Sequence, residues 1–265
     1  MSEPRKMCAF CPADAVEKGG EHIWDGWIDK AQPKNSLYRA SKRYAINSPT
    51  IEYDTASIDE KLPVVCEHCN SGWMSVLTNK IKQNFSHAIL DGEPFTLDVR
   101  GAALLSAFSF MKAVVTNHAL PDEPFFTRGA REKFRESLEI PSPTQCWFAA
   151  YQGEFQFSTK NSMSIFGQND PNSPICGMEF CSHSYVVGKL ALQLLAPRWK
   201  YIHHRGRSLL LVDPAAIWRP AAVRFWPHDG TAISWPPPKY LGNNTIQLFI
   251  KRFGNDINIE IPRTF

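Results

Sequence analysis

The chain has 265 residues, 43% hydrophobic and 21% charged, which is typical of a soluble globular protein with one large or two ordinary domains. Its formal net charge is only +3, so overall charge does not by itself indicate a nucleic-acid partner. The first residues are polar, and the longest apolar run, residues 102–115, is short and contains Lys112, so we expect a cytoplasmic protein with no signal peptide and no membrane partner.

Two Cys-x-x-Cys pairs stand out in the first third of the chain. They are Cys8 with Cys11 and Cys66 with Cys69, and residues 12–65 lie between them. In a reducing compartment such pairs indicate a metal site rather than disulfides, and four thiolates suit one tetrahedral Zn²⁺. A redox-active pair would need a βαβ context, which is not evident around either pair. We therefore predict structural zinc, and two unrelated pairs remain the alternative.

Secondary structure is predicted to be short up to the second cysteine pair. Residues 32–59 have little periodicity and predict a long loop with short strands, and residues 61–65 predict a strand. A helix is predicted to start near Asn70, because apolar residues recur at four-residue spacing from Leu77 to Ile89. The sequence Asp-Gly-Glu-Pro at 91–94 is expected to end it.

The rest of the chain is predicted to mix helices and strands. Residues 101–119 give the strongest helix, with a wide apolar stripe, and residues 127–138 predict a short amphipathic helix. Residues 185–196 predict a helix that the following proline stops. Residues 245–252 alternate weakly and are compatible with either structure. The predicted strands are residues 146–151, 154–158, 177–181, 208–212 and 221–226.

Two blocks beside the cysteines carry a family resemblance. Residues 21–28 read Glu-His-Ile-Trp-Asp-Gly-Trp-Ile, and residues 66–74 read Cys-Glu-His-Cys-Asn-Ser-Gly-Trp-Met. Together with the first cysteine pair they resemble the zinc-containing branch of the HNH nucleases, also called His-Me finger or ββα-metal nucleases. In that branch an acidic-His pair follows the first Cys-x-x-Cys, and Asn or His follows the second. The match covers about a quarter of the chain, in these two blocks.

The resemblance implies hydrolysis of phosphodiester bonds in nucleic acid, with DNA favoured over RNA. His22 would be the general base, because a neutral imidazole is suited to deprotonate water near pH 7. Glu21 and Asn70 would hold a catalytic Mg²⁺ or Mn²⁺ on the scissile phosphate. The zinc would fix a hairpin against the helix and so preorganise these ligands. A purely structural His22 and an Asn70 that only caps the helix are the alternatives.

Some positions depart from the family's pattern or are only loosely placed by it. Asp25 stands where the pattern has proline, and it is either a further metal ligand or, as we favour, a turn residue. Thr78 stands where a glutamate is usual, so any role of that glutamate is missing here. The middle Asn of the family name has its best candidate in Asn47. Trp27 and Trp73 are predicted to pack in a small core rather than stack on bases.

Basic residues interleaved with aromatic ones lie within residues 198–224. Such a mixture suits a nucleic-acid backbone surface with stacking. Its members would be Arg198, Lys200, Arg205 and Arg207. The alternative, which we favour, is a solvated strand face whose arginines extend along apolar surface. The cysteines outside the two pairs are predicted to be small buried hydrophobic residues. They are Cys146, Cys176 and Cys181, and a metal site formed by Cys176 and Cys181 with His183 is the alternative.

The sequence thus predicts an α+β fold with two domains. Residues 1–92 form a zinc-stapled ββα-metal (HNH) module, and residues 93–265 form a mixed α/β domain that binds substrate or a partner. The resemblance implies a metal-dependent endonuclease, with bacterial defence or restriction as its expected setting. Two alternatives stay open: a non-catalytic zinc-ribbon-like module that binds nucleic acid or protein, and a latent effector that a ligand or partner protein triggers.

Overall fold

The computed structural model describes most of the chain as a mixture of helices and strands, which confirms the mixed α and β composition of the predicted fold. The described residues are 7–16, 20–31, 38–42, 51–55, 61–119, 124–154, 156–167, 176–201 and 221–255. Four of the sequence predictions lie outside these residues. They concern Asn47, Arg205, Arg207 and the strand at 208–212.

The N-terminal part begins with a two-stranded antiparallel sheet. Strand β1 (Glu21–His22) pairs with β4 (Lys61–Leu62). The chain between them contains a short helix and a second hairpin, namely α1 (Gly26–Ala31), β2 (Tyr38–Lys42) and β3 (Ile51–Thr55). The strand predicted over residues 61–65 is shorter than expected, because Val64 and Val65 accept hydrogen bonds from the N-terminal segment instead.

The helix predicted near Asn70 begins slightly earlier. A short α2 (Glu67–Cys69) continues through a π-helical turn (Asn70–Met74) into α3 (Ser75–Leu90). The predicted apolar positions form the buried face of α3, from Leu77 to Ile89. This helix ends at Leu90, and Gly92 follows in the left-handed region at φ +76, as the Asp-Gly-Glu-Pro sequence indicated.

Helix α4 (Val99–Ala119) lies at the centre of the fold and is buried on nearly all sides. It is long and apolar enough to cross a membrane by length and composition, but 67% of its apolar window is buried inside the protein. Burial of this kind is also found in the core helices of globular proteins. Between β5 (Phe95–Leu97) and the main sheet, the chain also forms α5 (Arg128–Ser137), which the Thr127 hydroxyl caps.

A mainly antiparallel sheet forms most of the second half. Its strands are β6 (Gln145–Tyr151), β7 (Phe157–Gly167), β8 (Cys176–Val187), β9 (Leu190–Tyr201), β10 (Ala222–Trp226) and β12 (Tyr240–Leu241). The strand order is β10-β6-β9-β8-β7, and the short β12 pairs parallel with β6. A separate β11 (Ile233–Trp235) pairs with β5, and the final described helix is α6 (Asn243–Asn255).

The helix predicted over residues 185–196 is wrong, because these residues form the β8–β9 hairpin. The chain turns at Gly188, where φ is +54 and a Cβ would lie 2.1 Å from the carbonyl oxygen of Ile89. Residues 190–197 of β9 are all buried, so the strand lacks the apolar–polar alternation that would have distinguished it from a helix. The ambiguous residues 245–252 lie in α6.

Both faces of the main sheet are covered. Leu190, Leu192 and Leu194 join the core that contains α4, and Ala191 faces a second cluster that contains α6 residues. The first core continues without a break into the N-terminal part, where Trp27 and Trp73 pack against it as predicted. The division into residues 1–92 and 93–265 therefore stays a prediction, since one hydrophobic core spans both ranges.

Candidate metal centre and adjoining cleft

The two cysteine pairs meet in one buried cluster. The Sγ atoms of Cys8, Cys11, Cys66 and Cys69 all lie within 4.8 Å of one another. The Sγ atom of Cys11 lies 3.5 Å from that of Cys66 and 3.7 Å from that of Cys69. Four sulfurs around a tetrahedral Zn²⁺ with bonds of about 2.3 Å would stand about 3.8 Å apart. The four-cysteine cluster could therefore hold a metal ion such as zinc.

Backbone geometry presents these thiols. The amide of Phe10 donates to Cys8 Sγ at 3.5 Å, and the amide of Cys69 donates to Cys66 Sγ at 3.4 Å. Each Cys-x-x-Cys pair thus folds into a tight turn around its sulfurs. The hydrogen bond with Cys69 lowers the pKa of Cys8 well below its ordinary value despite burial, and the same contact raises the pKa of Cys69. The cluster therefore favours a thiolate at Cys8, and thiolates are the form that binds metal.

Aromatic packing fixes the cluster against the rest of the core. The ring centroid of Phe10, which lies between the first two cysteines, is 5.0 Å from that of Trp73 and 6.3 Å from that of Phe134. The guanidinium of Arg131, on α5, donates to the backbone oxygen of Ala9. The N-terminal turn is thus held by contacts with both α5 and the π-helical turn.

A cleft of about 420 Å³ lies between β1, α1 and the start of the α2–α3 helix. Three sequence-predicted site residues, Glu21, His22 and Asn70, line it together. The other residues that line it are Asp25, Gly26, Trp27, Glu67, Ser71, Ser75 and Thr78. Thr78 therefore lies at the cleft, at the position where the family resemblance expects a glutamate. His68, the residue between the second pair of cysteines, is exposed and does not line the cleft.

One side-chain hydrogen bond connects the helix start to strand β1. Asn70 Nδ2 donates to the backbone oxygen of Gly20 at 3.0 Å. Gly20 has φ +107, and a Cβ there would lie 2.1 Å from the backbone oxygen of Leu62, so the position requires glycine. Asn70 does not cap its helix with its side chain, because Cys66 Sγ accepts from the amide of Cys69 at the N-cap.

A buried lysine lies beside two of the carboxylates that line the cleft. Lys112 Nζ, on α4, donates to Glu21 Oε1 at 2.7 Å, to Asp25 Oδ1 at 2.8 Å and to the His22 backbone oxygen at 2.8 Å. Burial alone would lower the pKa of Lys112, but the charges and hydrogen bonds of Asp25 and Glu21 outweigh it and raise the pKa. Lys112 is therefore an ammonium. We call the side chains of Lys112, Glu21 and Asp25 the Lys112 cluster.

Sequence reasoning missed the contacts of Lys112. The one signal available was a lysine in the apolar stripe of a predicted core helix, where lysine is rarely buried without a charged partner.

A buried histidine lies on strand β8, close to Lys112. His183 is buried and its Nε2 lies 3.2 Å from Ser158 Oγ. Burial and then the charge of Lys112 lower the pKa of His183 to about 3, so this imidazole is neutral.

The predicted basic surface is described only in part. Arg198 Nε donates to Glu179 Oε2 at 2.7 Å, and its Nη1 donates to the backbone oxygen of Phe125 at 2.6 Å. The guanidinium also lies over the Phe125 ring, 4.5 Å from the centroid. Arg198 is thus held by contacts within the fold, and its role in binding nucleic acid stays a prediction. Lys200 belongs to β9, and its side chain lies outside the described part of the structure.

The prediction that the remaining cysteines are buried is confirmed for two of the three. Cys146 and Cys181 are buried, at 0% and 1% exposure, and the side chain of Cys176 is outside the described residues.

Comparison with known proteins finds no match to this chain among family models, curated proteins or solved structures. The function proposed for the cleft therefore rests on its residues and their contacts.

Proposed function

We propose that this chain is a metal-dependent endonuclease of the HNH type, which hydrolyses phosphodiester bonds of nucleic acid, with DNA as the favoured substrate. The observation that carries the proposal is the cleft in which Glu21, His22 and Asn70 meet beside the four-cysteine cluster. These residues lie far apart in the chain, and strand β1 and the helix start that carry them resemble the order of elements in ββα-metal nucleases.

The proposed chemistry assigns one role to each of these residues. His22 takes a proton from the attacking water, since a neutral imidazole is an effective base near pH 7. Glu21 and Asn70 supply carboxylate and amide oxygens, the ligand types that Mg²⁺ and Mn²⁺ prefer. A divalent ion held there would stabilise the charge that grows on the scissile phosphate. Lys112 occupies Glu21 Oε1, so Oε2 is the oxygen that Glu21 would offer to the ion.

The four-cysteine cluster supports the proposal structurally. A zinc ion there would fix residues 8–11 to the start of α2, and Asn70 follows Cys69 directly. The hydrogen bond from Asn70 to Gly20 then connects that helix start to the strand that carries Glu21 and His22. The zinc would preorganise the cleft without lying in it.

The test is nicking of supercoiled plasmid by the purified protein with Mg²⁺, Mn²⁺ or EDTA. Wild type is expected to nick in the presence of either metal, and EDTA is expected to abolish nicking. His22→Ala should lower the rate by about 10²–10⁴-fold, the usual contribution of a general base. His68→Ala is the matched control, since this exposed histidine does not line the cleft, and it should nick like wild type.

Zinc content and circular dichroism are measured on all variants, so that a lost fold is not mistaken for a lost base. Full nicking by folded His22→Ala would contradict the assignment of the base. Absence of nicking by zinc-loaded wild type would contradict the nuclease proposal and favour the binding-module alternative. Nicking that appears only when cell extract is added would instead favour the latent effector.

A further inference from the structure

Asp25 is the buried carboxylate of the cleft that the family resemblance does not use. It follows β1 and directly precedes α1, and its side chain is 5% exposed. Its backbone oxygen accepts from the amide of Ile28 at 2.8 Å, which is the turn role that the sequence favoured. That turn occupies only the backbone of Asp25, so it leaves the burial of the carboxylate unexplained.

The two oxygens of Asp25 have different surroundings. Oδ1 accepts from Lys112 Nζ at 2.8 Å, whereas Oδ2 is buried and has no hydrogen-bond partner among the described residues. A buried carboxylate oxygen without a partner costs free energy, because it has lost water and gained nothing in its place. Asp25 is among the residues that line the cleft, so a ligand bound at the buried end of the cleft would give Oδ2 the partner that it lacks.

The charges of the Lys112 cluster indicate a cation as that ligand. Two carboxylates and one ammonium leave a net charge of −1 at the buried end of the cleft, and Glu67 adds a further carboxylate at an exposed position. Lys112 holds one oxygen of Glu21 and one of Asp25, so each carboxylate retains one oxygen for another partner. The remaining carboxylate oxygens of Glu21 and Asp25, with the amide oxygen of Asn70 in the same cleft, form a donor set that suits a hard divalent cation.

We propose that Asp25 is a direct ligand of the divalent cation in this cleft, through Oδ2, beside Glu21. This inference deepens the proposed function and rests on it for the role of the cation, but its test measures cation binding directly. It also explains why Asp25 stands at a position where the family's pattern has proline, which has no ligand atom in its side chain.

The experiment is a Mn²⁺ titration of zinc-loaded protein labelled with ¹⁵N in the tryptophan indoles. Trp27 lines the cleft, so bound Mn²⁺ should broaden the signal of its indole N–H. Trp235 packs with Phe95 and Phe148 and does not line the cleft, so it serves as the internal reference. Mn²⁺ bound at the exposed group of His87, Asp91 and Glu93 does not broaden the Trp27 signal unless the ion comes close to Trp27.

The decisive variant is Asp25→Asn, which keeps an oxygen for Lys112 and removes the free carboxylate oxygen. The Mn²⁺ concentration that half-broadens Trp27 should rise by about tenfold or more, since even indirect ligand partners contribute about 10–100-fold to metal affinity. Glu67→Gln is the matched control, because it removes the same charge from an exposed position at the same cleft. It should shift the midpoint by less than about fivefold, as expected for an exposed charge.

Equal midpoints for Asp25→Asn and wild type would overturn the inference, and so would an unbroadened Trp27 in wild type at millimolar Mn²⁺. If Asp25→Asn does not fold, an unbroadened Trp27 in wild type still overturns the inference. The two proposals fail separately. A wild type that binds Mn²⁺ through Asp25 without nicking plasmid contradicts the nuclease, and a wild type that nicks with an Asp25-independent Mn²⁺ affinity contradicts the ligand.

Discussion

The four-cysteine cluster and the Lys112 cluster both join distant parts of this chain, but they do so with opposite chemistry. The first brings residues 8–11 to residues 66–69 through four thiols, which carry no positive charge of their own. The second brings Glu21 and Asp25 to α4 through an ammonium that the chain itself provides. Four thiolates in the first cluster could therefore be stabilised by an added metal ion, whereas in the second cluster an ammonium of the chain itself already holds the two carboxylates together.

This difference separates two ways in which the N-terminal part can be detached from the core. Loss of metal should release the cysteine turns while the contact between β1 and α4 remains. Loss of Lys112 should leave two carboxylates buried without a counterion while the metal remains bound. Variants that act on one cluster at a time therefore test whether the two connections are independent.

The largest effect is expected from Cys69→Ser. Structural zinc contributes about 10–16 kcal/mol of binding free energy in small zinc domains, and one missing thiolate removes most of that affinity. Metal analysis should show one zinc per chain in wild type and much less in the variant, with a large drop in the unfolding temperature. Cys146→Ala is the matched control, since this cysteine is buried elsewhere and its loss should leave the zinc content unchanged.

The next effect in size is expected from Lys112→Met, which fills the same space without the charge. Removal of one partner from a buried ion pair costs about 3–5 kcal/mol, because the remaining charges stay buried and unpaired. Chemical denaturation should show this loss at unchanged zinc content. Lys82→Met, at an exposed position of α3, should change the unfolding free energy by less than about 0.5 kcal/mol. A fully stable Lys112→Met would contradict the buried ion pairs.

The two clusters also differ in how far the sequence predicted them. The cysteine cluster was predictable because each Cys-x-x-Cys pair is a local pattern, and four thiols in a reducing compartment have few other uses. That Glu21, His22 and Asn70 would lie together was predicted from a family resemblance rather than from periodicity. The Lys112 cluster was not predicted, because nothing local connects a lysine on a core helix to acidic residues so far before it in the chain.

The same limit explains the misinterpreted hairpin. Hydrophobic periodicity distinguishes a strand from a helix only when one face of the strand is polar. Strand β9 is covered on both faces, so its sequence carries no such alternation, and Gly188 was the only local indication of a turn. Helices α3 and α5 have a mixture of buried and exposed positions, and they were predicted to within a few residues.

A pH-dependent effect is expected at His183, which burial and, to a smaller extent, the charge of Lys112 keep neutral by lowering its pKa. Its pKa of about 3 in the fold lies below the ordinary 6.5, so between these values the unfolded chain binds a proton that the folded chain does not. The stability from neutral His183 is therefore present above pH 6.5 and is lost as the pH falls toward 3. The loss is about 2 kcal/mol between pH 6.5 and pH 5, at about 1.4 kcal/mol per pH unit.

Denaturation of wild type and His183→Gln at pH 8 and pH 5 measures this contribution. The advantage of wild type over the variant should shrink by about 2 kcal/mol at the lower pH. In a Lys112→Met background the change should be smaller, because one of the two causes that keep the imidazole neutral is gone. A difference between wild type and His183→Gln that does not vary with pH would show that His183 takes a proton within the fold.

The smallest effect on stability, and the one that connects the two clusters, is expected at Asn70. Asn70 directly follows Cys69, and its side chain donates a hydrogen bond to Gly20, which directly precedes Glu21. Asn70→Ala therefore breaks the link between the two clusters while both remain intact. One lost hydrogen bond should cost about 1 kcal/mol of unfolding free energy. Asn84→Ala is the control, since Asn84 is exposed on α3 and its described hydrogen bond stays within its own helix, so alanine there should cost nothing.

If Asn70 only connects these two elements, its loss should reduce plasmid nicking no more than other variants of equal stability do. A much larger loss of nicking at normal zinc content would mean that the Asn70 amide also acts within the cleft, as the proposed cation site requires.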